Sequence, residues 1–176
     1  PFHDVQAMVD GPAATALAEL VRERWRCASG EELVAVTGCS VWPEEVEPDF
    51  RDVEVGIART VPRQDGMAEA REVEQLFFDM IGAAEGSLYI ENQFLTSIPF
   101  ARAIADRLKE NPKLEVLIIT PKTHHSWLEA VAMRHGRIRF QEVVRAADAG
   151  NRVRFAYPCV AGNGGSTAVM VHSKVM

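Results

Sequence analysis

From Val53 onward the sequence switches repeatedly between two hydrophobic periods, and that alternation restricts the class of fold the chain can adopt. "VEVGIART" alternates apolar and polar residues and reads as a strand, whereas "AEAREVEQLFFDMIGAA" sets Val73, Leu76, Phe77, Met80 and Ile81 on one helical stripe. "SLYIEN" reads as a strand. "PFARAIADRLKEN" follows as a helix with Pro99 near its start, where a missing N–H costs nothing. "LEVLIIT" is a continuous apolar run, the pattern of a strand buried on both faces. A helix from about Ser126 to Ala147, a strand "RVRFAYP", a Gly-rich loop "AGNGGS" and a last strand "AVMVHSKV" complete the series. Strands alternating with helices predict a layered α/β fold with a largely parallel sheet flanked by helices.

The first 52 residues are less regular. "DVQAMVDG" reads as a short strand ending at a turn. "GPAATALAELVRERW" reads as a helix with Pro12 in its first turn and an apolar stripe of Leu17, Leu20, Val21 and Trp25. "ELVAV" has the pattern of another short strand, and residues 38–52, with Gly38, Pro43 and Pro48, read as loop. Between Glu31 and Glu54 eight acidic residues face a single basic one, Arg51, which is the composition of a solvated acidic loop.

Composition narrows the function. A hydrophobic content of 47% is ample for a core and excludes a disordered chain. A net charge of −6 weighs against a general nucleic-acid binder, which needs a basic footprint. Cys27, Cys39 and Cys159 have neither paired nor metal-like spacing, so they read as small core residues. No apolar run is long enough to cross a bilayer, and no signal peptide is recognisable. The chain starts at Pro1 without methionine, which leaves a lost leader open; a cytoplasmic or peripheral-membrane location is favoured.

In a sheet of this kind, sites form beyond the carboxyl ends of strands. One such end delivers Glu91, Asn92 and Gln93; another delivers Thr120, Pro121 and Lys122, then His124 and His125. Taken singly, the Asn-Gln pair reads as turn chemistry and the two histidines as surface or helix-entry residues. The stretch "VMVHSKVM" is more demanding. Strand alternation points His172 and Lys174 one way and Val171, Ser173 and Val175 the other. Two cationisable groups side by side repel each other and resist burial, and a bound anion between them would remove that objection.

"YIENQF", with "VHSKVM" following about eighty residues later, resembles the second half of the phospholipase D superfamily, whose members carry two copies of an H-x-K-x(4)-D motif. His172-Ser173-Lys174 looks like the start of the second copy. The opening "PFHDVQAMVDGPAATALAELVRERW" resembles the P-W-H-D segment, G-P-A and helix that follow the first copy, and "RTVP" and "SWLEAVAMR" fit the same order. On this resemblance residues 1–52 would be the end of a first repeat plus a linker, and residues 53–176 most of a second, in a phospholipase D-like layered fold. The first H-x-K copy would lie before Pro1, and the aspartate of the second would fall three residues past Met176, so the chain would be a piece of a longer enzyme, inactive by itself. The terminal strand, expected in the middle of the family's sheet, would then either fray after about Ala168 or pair with a second copy of the chain.

The resemblance also implies a chemistry. One histidine attacks phosphorus to give a phosphohistidine, and a second protonates the leaving oxygen and later deprotonates the incoming water or alcohol. His172 would be that second histidine, acting as acid and base, with Lys174 clamping the phosphoryl oxygens. Asn92 and Gln93 would lie near the phosphate, and Glu91 with them, although strand alternation separates its direction from that of Asn92. No metal and no cofactor is expected. His3, in "PFHD", would be structural. The expected substrate is a phospholipid or another phosphodiester, with peripheral contact to a membrane surface. A domain that binds anionic lipid or phosphate without turnover is the alternative from a different class; the six arginines against two acids between Arg134 and Arg154 suit it, although a solvated helix face explains them too. A nuclease of the same superfamily is a third reading, opposed by the acidic balance.

Overall fold

The computed structural model describes residues 1–35, 38, 42–63, 68–123, 127–162 and 165–176, with the backbone alone at 127–130. His124, His125 and Cys39 lie outside the described residues. The chain divides into two compact units, one formed by Pro1–Gln6 with Glu74–Met176 and the other by Ala7–Val73.

The larger unit is an α/β layer. Its four-stranded sheet runs in the order β10 (Lys174–Val175), β4 (Ser87–Asn92), β5 (Glu115–Ile119), β6 (Val153–Ala156). β4, β5 and β6 are parallel, and β10 lies antiparallel against β4 with Lys174 opposite Asn92 and Val175 opposite Glu91. Parallel neighbours need crossovers, here the helices α3 (Ile98–Glu110) and α4 (Trp127–Ala147). Both pack their apolar stripes on one face of the sheet. Leu88 and Ile90 of β4, Val116 and Ile118 of β5 and Val153 of β6 join Ile104, Leu108, Phe140 and Val144 in one buried cluster. Helix α2 (Glu72–Ala83) adds Ile81 to that cluster and sets Phe77 and Phe78 against Phe100.

Two further pairings complete this unit. β1 (Phe2–His3) pairs parallel with β9 (Met170–Val171), bringing the ends of the chain together. A hairpin of β7 (Cys159–Gly162) and β8 (Gly165–Ala168) follows β6.

The smaller unit contains α1 (Pro12–Ser29), closed by Gly30 in the left-handed conformation (φ 73°) with its N–H on the Arg26 carbonyl at 2.8 Å. It also contains the short antiparallel pair of β2 (Thr60–Val61) with β3 (Ala70–Arg71). Arg59 holds that pair to the start of α2 through its backbone N–H and guanidinium on the Glu72 carboxylate, which the guanidinium's hydrogen bonds hold down to about 2. Among the described residues Val61 is this unit's only buried hydrophobic.

Several sequence expectations change. "LEVLIIT" is buried on one face only, since Glu115 and Leu117 are exposed while Val116 and Ile118 are not. "VEVGIART" contributes strand only at Thr60, with Val53 and Val55 exposed; alternation marks strand capacity, but a strand also needs an edge to pair with. The described parts of "DVQAMVDG" and "ELVAV" are not strands, the described residues of "AGNGGS" belong to β7 and β8 rather than to a loop, and the final strand is split into β9 and β10. That final stretch does not fray: it pairs within the chain, at an edge of the sheet. The α1 stripe is present as a pattern but leaves Leu17, Val21 and Trp25 exposed. Among the described residues, no helix is long and apolar enough to cross a membrane.

Candidate functional site

The site is built where the carboxyl end of β4 meets the segment that joins β9 to β10. Parallel pairing of β1 with β9 sets Phe2 beside Met170 and His3 beside Val171, and the His172 N–H donates to the His3 carbonyl at 2.9 Å. Carried one residue further, that register puts Asp4 beside His172. Their side chains meet, Nδ1 to Oδ2 at 2.8 Å, and the Phe2 ring lies 5.7 Å from the imidazole. Alternation does the sorting: Val171 and Ser173 are buried, whereas His172 is half-buried and Lys174 exposed.

The Asp4–His172 pair fixes a tautomer. The hydrogen bond from His172 is the main cause holding the Asp4 carboxyl below its ordinary value, so at neutral pH Asp4 is a carboxylate and can only accept. Nδ1 therefore carries the proton in that bond, and Nε2 is the nitrogen left to exchange one. Among the described residues Nε2 has no hydrogen-bond partner.

Lys174 is aimed by two acceptors. Its Nζ donates to Gln93 Oε1 at 3.1 Å and to the carbonyl of His172. An ammonium has three protons, so one remains for a ligand. Gln93 is itself buried, and its oxygen is committed to the lysine. Asn92, opposite Lys174 in the ladder, spends its side-chain oxygen on the backbone N–H groups of Phe94 (3.0 Å) and Leu95 (3.2 Å). That turn places Leu95 at φ 48°, a conformation costly for a residue with a Cβ and here held by the Asn92 bond and burial of the leucine. The Asn92 amide N–H groups are thereby turned away from the loop backbone.

Glu91 is set apart from the other candidates. It points to the opposite face of β4, where its carboxylate accepts from Tyr89 and Ser173 hydroxyls and meets His3 Nε2 at 2.8 Å. Burial pushes this carboxyl up, but the Ser173, Tyr89 and His3 hydrogen bonds together outweigh it and hold it low. The Tyr89 hydroxyl is pushed up to about 12, first by its bond to Glu91. With both oxygens engaged on that face, Glu91 braces the strand behind His172 and Lys174. His3 belongs to this brace, in keeping with a structural role.

The structure thus brings together His172, Lys174, Asn92 and Gln93, and adds Asp4, which sequence reasoning passed over as part of a structural stretch. The signal for it was adjacent: if His3 faces one side of a strand, Asp4 faces the other. Among the described residues no group of three or more His, Cys, Asp or Glu side chains could hold a metal ion. An imidazole with a defined tautomer next to an aimed ammonium can exchange a proton beside a bound anion. Comparison of the chain with models of protein families gives no match, and none is found among curated proteins.

Proposed function

We propose that this chain carries the acid–base half of a phospholipase D-like phosphodiesterase or phosphatidyltransferase. The single observation that carries the reading is the Asp4–His172 bond of 2.8 Å, which leaves Nε2 as the exchanging nitrogen of an imidazole that shares its strand face with Lys174. His172 Nε2–H gives its proton to the alkoxide leaving the phosphorus, and then, as the neutral base, takes one from the water or alcohol that resolves the intermediate. Asp4 stabilises the imidazolium each time it forms. Lys174 and the Asn92 amide offset charge on the non-bridging oxygens. In a two-histidine mechanism of this kind the attack on phosphorus falls to a second imidazole, and the role assigned to His172 is the proton transfer alone. A phosphate-binding domain without catalysis would use the same lysine and amide, but it leaves the Asp4–His172 pair without a task.

Two measurements test this. Titrating the chain with dibutyl phosphate should shift the side-chain nitrogen resonances of His172 and Lys174 together, and Lys174→Ala should remove the His172 shift. With a nucleophilic H-x-K segment supplied, Asp4→Asn should lower kcat by about 10²–10⁴ with little change in KM, the range for losing an oriented acid or base. Resonances that stay still would sink the site assignment; an unchanged kcat would leave binding and remove catalysis.

A further inference from the structure

Helix α4 presents two different faces. Phe140 and Val144 are buried in the core, and Arg137 on that flank donates to the carbonyls of Gln93 (3.0 Å) and Pro121 (2.9 Å). The opposite stripe, at helical spacing, is Val131, Arg134, His135, Ile138, Glu142 and Arg145, all exposed, with Arg139 exposed at its margin. Val131 is 50% and Ile138 43% exposed, so two branched aliphatic side chains stand in solvent between arginines. The stripe with its margin carries three arginines and a histidine against one acid, in a chain whose net charge is −6. An acidic protein that gathers exposed cations around aliphatic residues on one helical face has the charge pattern of an interfacial helix.

We infer that this face docks on an anionic phospholipid bilayer, with Arg134 and Arg139 on the headgroup phosphates and Val131 and Ile138 at the acyl boundary. Charge complementarity selects this occupant. Arg145 stacks 5.1 Å from the Phe155 ring, which holds the C-terminal end of the stripe against the body of the unit. Through Arg137 the N-terminal half of α4 stands beside Gln93, so a docked helix keeps that end of the sheet close to the membrane surface. The inference does not depend on the catalytic reading of His172.

The test is co-sedimentation of the 176-residue chain with phosphatidylcholine vesicles, with and without about a third phosphatidylglycerol, over a range of salt. The chain should pellet with the anionic vesicles only, and less as salt rises. Arg134→Glu with Arg139→Glu should weaken binding at least about tenfold, while Arg134→Lys with Arg139→Lys retains it, because Lys and Arg contribute similarly to attraction to an anionic surface. Ile138→Ser should weaken it at constant charge, and Lys113→Glu, in the turn before β5, should leave it unchanged. Equal binding to neutral vesicles, no binding to either, or indifference to the charge reversal would overturn the inference. So would tighter binding to duplex DNA through the same arginines.

Discussion

At the scale of single residues, one carboxylate decides how the catalytic candidates are presented. Glu91 takes hydrogen bonds from Ser173, Tyr89 and His3 on the face of β4 away from Lys174. Fixing Ser173 on that side fixes its two neighbours on the other, because strand side chains alternate. The Glu91 carboxyl is held below its unfolded value of 4.5, so its contribution to stability is fully present above that value and is lost as pH falls through the lower, folded one. Glu91→Gln should therefore cost about 1–3 kcal/mol at neutral pH, the range for losing hydrogen bonds to a buried charged group. Urea unfolding across an acid series checks it: the gap between the two proteins should close as the solution becomes acid. A gap that stays constant would assign the loss to packing instead of charge.

At the scale of elements, the loop that begins at Asn92 is held from behind by α4. A Cβ added at Gly136 would lie 2.9 Å from both Cβ and Cγ2 of Thr96. In a free helix Gly→Ala stabilises by about 1 kcal/mol. Here the close approach wins, because overpacking costs about 1–3 kcal/mol and neither contact atom is the far end of a flexible side chain. Gly136→Ala should lower stability, and Thr96→Gly in the same chain should recover part of the loss. Denaturation midpoints of the three variants against the parent are the measurement; a Gly136→Ala protein more stable than the parent would show that the loop yields. The glycine lets α4 approach the loop, and Arg137 one residue on bonds the Gln93 carbonyl.

At the scale of the whole molecule, stability is unevenly shared. The unit containing the sheet has a continuous cluster from Ile81 to Val153, whereas the Ala7–Val73 unit buries one hydrophobic among its described residues. Helix α1 has no buried residue, so it lacks the packed face that supplies most helix stability in proteins, and its Arg22–Glu19 and Arg26–Glu23 pairs add only tenths of a kcal/mol each, about 0.2–0.5. Hydrogen exchange should follow that division. Amides of α1 should exchange through local opening, at least about a hundredfold faster than those of α3 and β5, which open only with the whole unit. Equal protection of α1 and α3 would mean that the α1 stripe is covered in solution.

Local pattern determined the elements with strong periods and clear ends. α3 follows from its apolar stripe and Pro99, β4 from "SLYIEN", and the α/β class from their alternation. Period alone was insufficient where a strand depends on a neighbour: Val53 to Arg59 alternates as well as β4 does, yet has no ladder partner among the described residues. The candidate site divides the same way. Alternation within "VHSKVM" puts His172 and Lys174 on one face, a property of the backbone that any extended conformation would keep. Their partners are tertiary. Asp4 is 168 positions from His172, and Ser173 is 82 from Glu91. Alternation sets direction along a strand but not which strand lies beside it. Only the pairing of β1 with β9, and of β10 with β4, supplies the register that makes Asp4 an imidazole partner and Glu91 a brace.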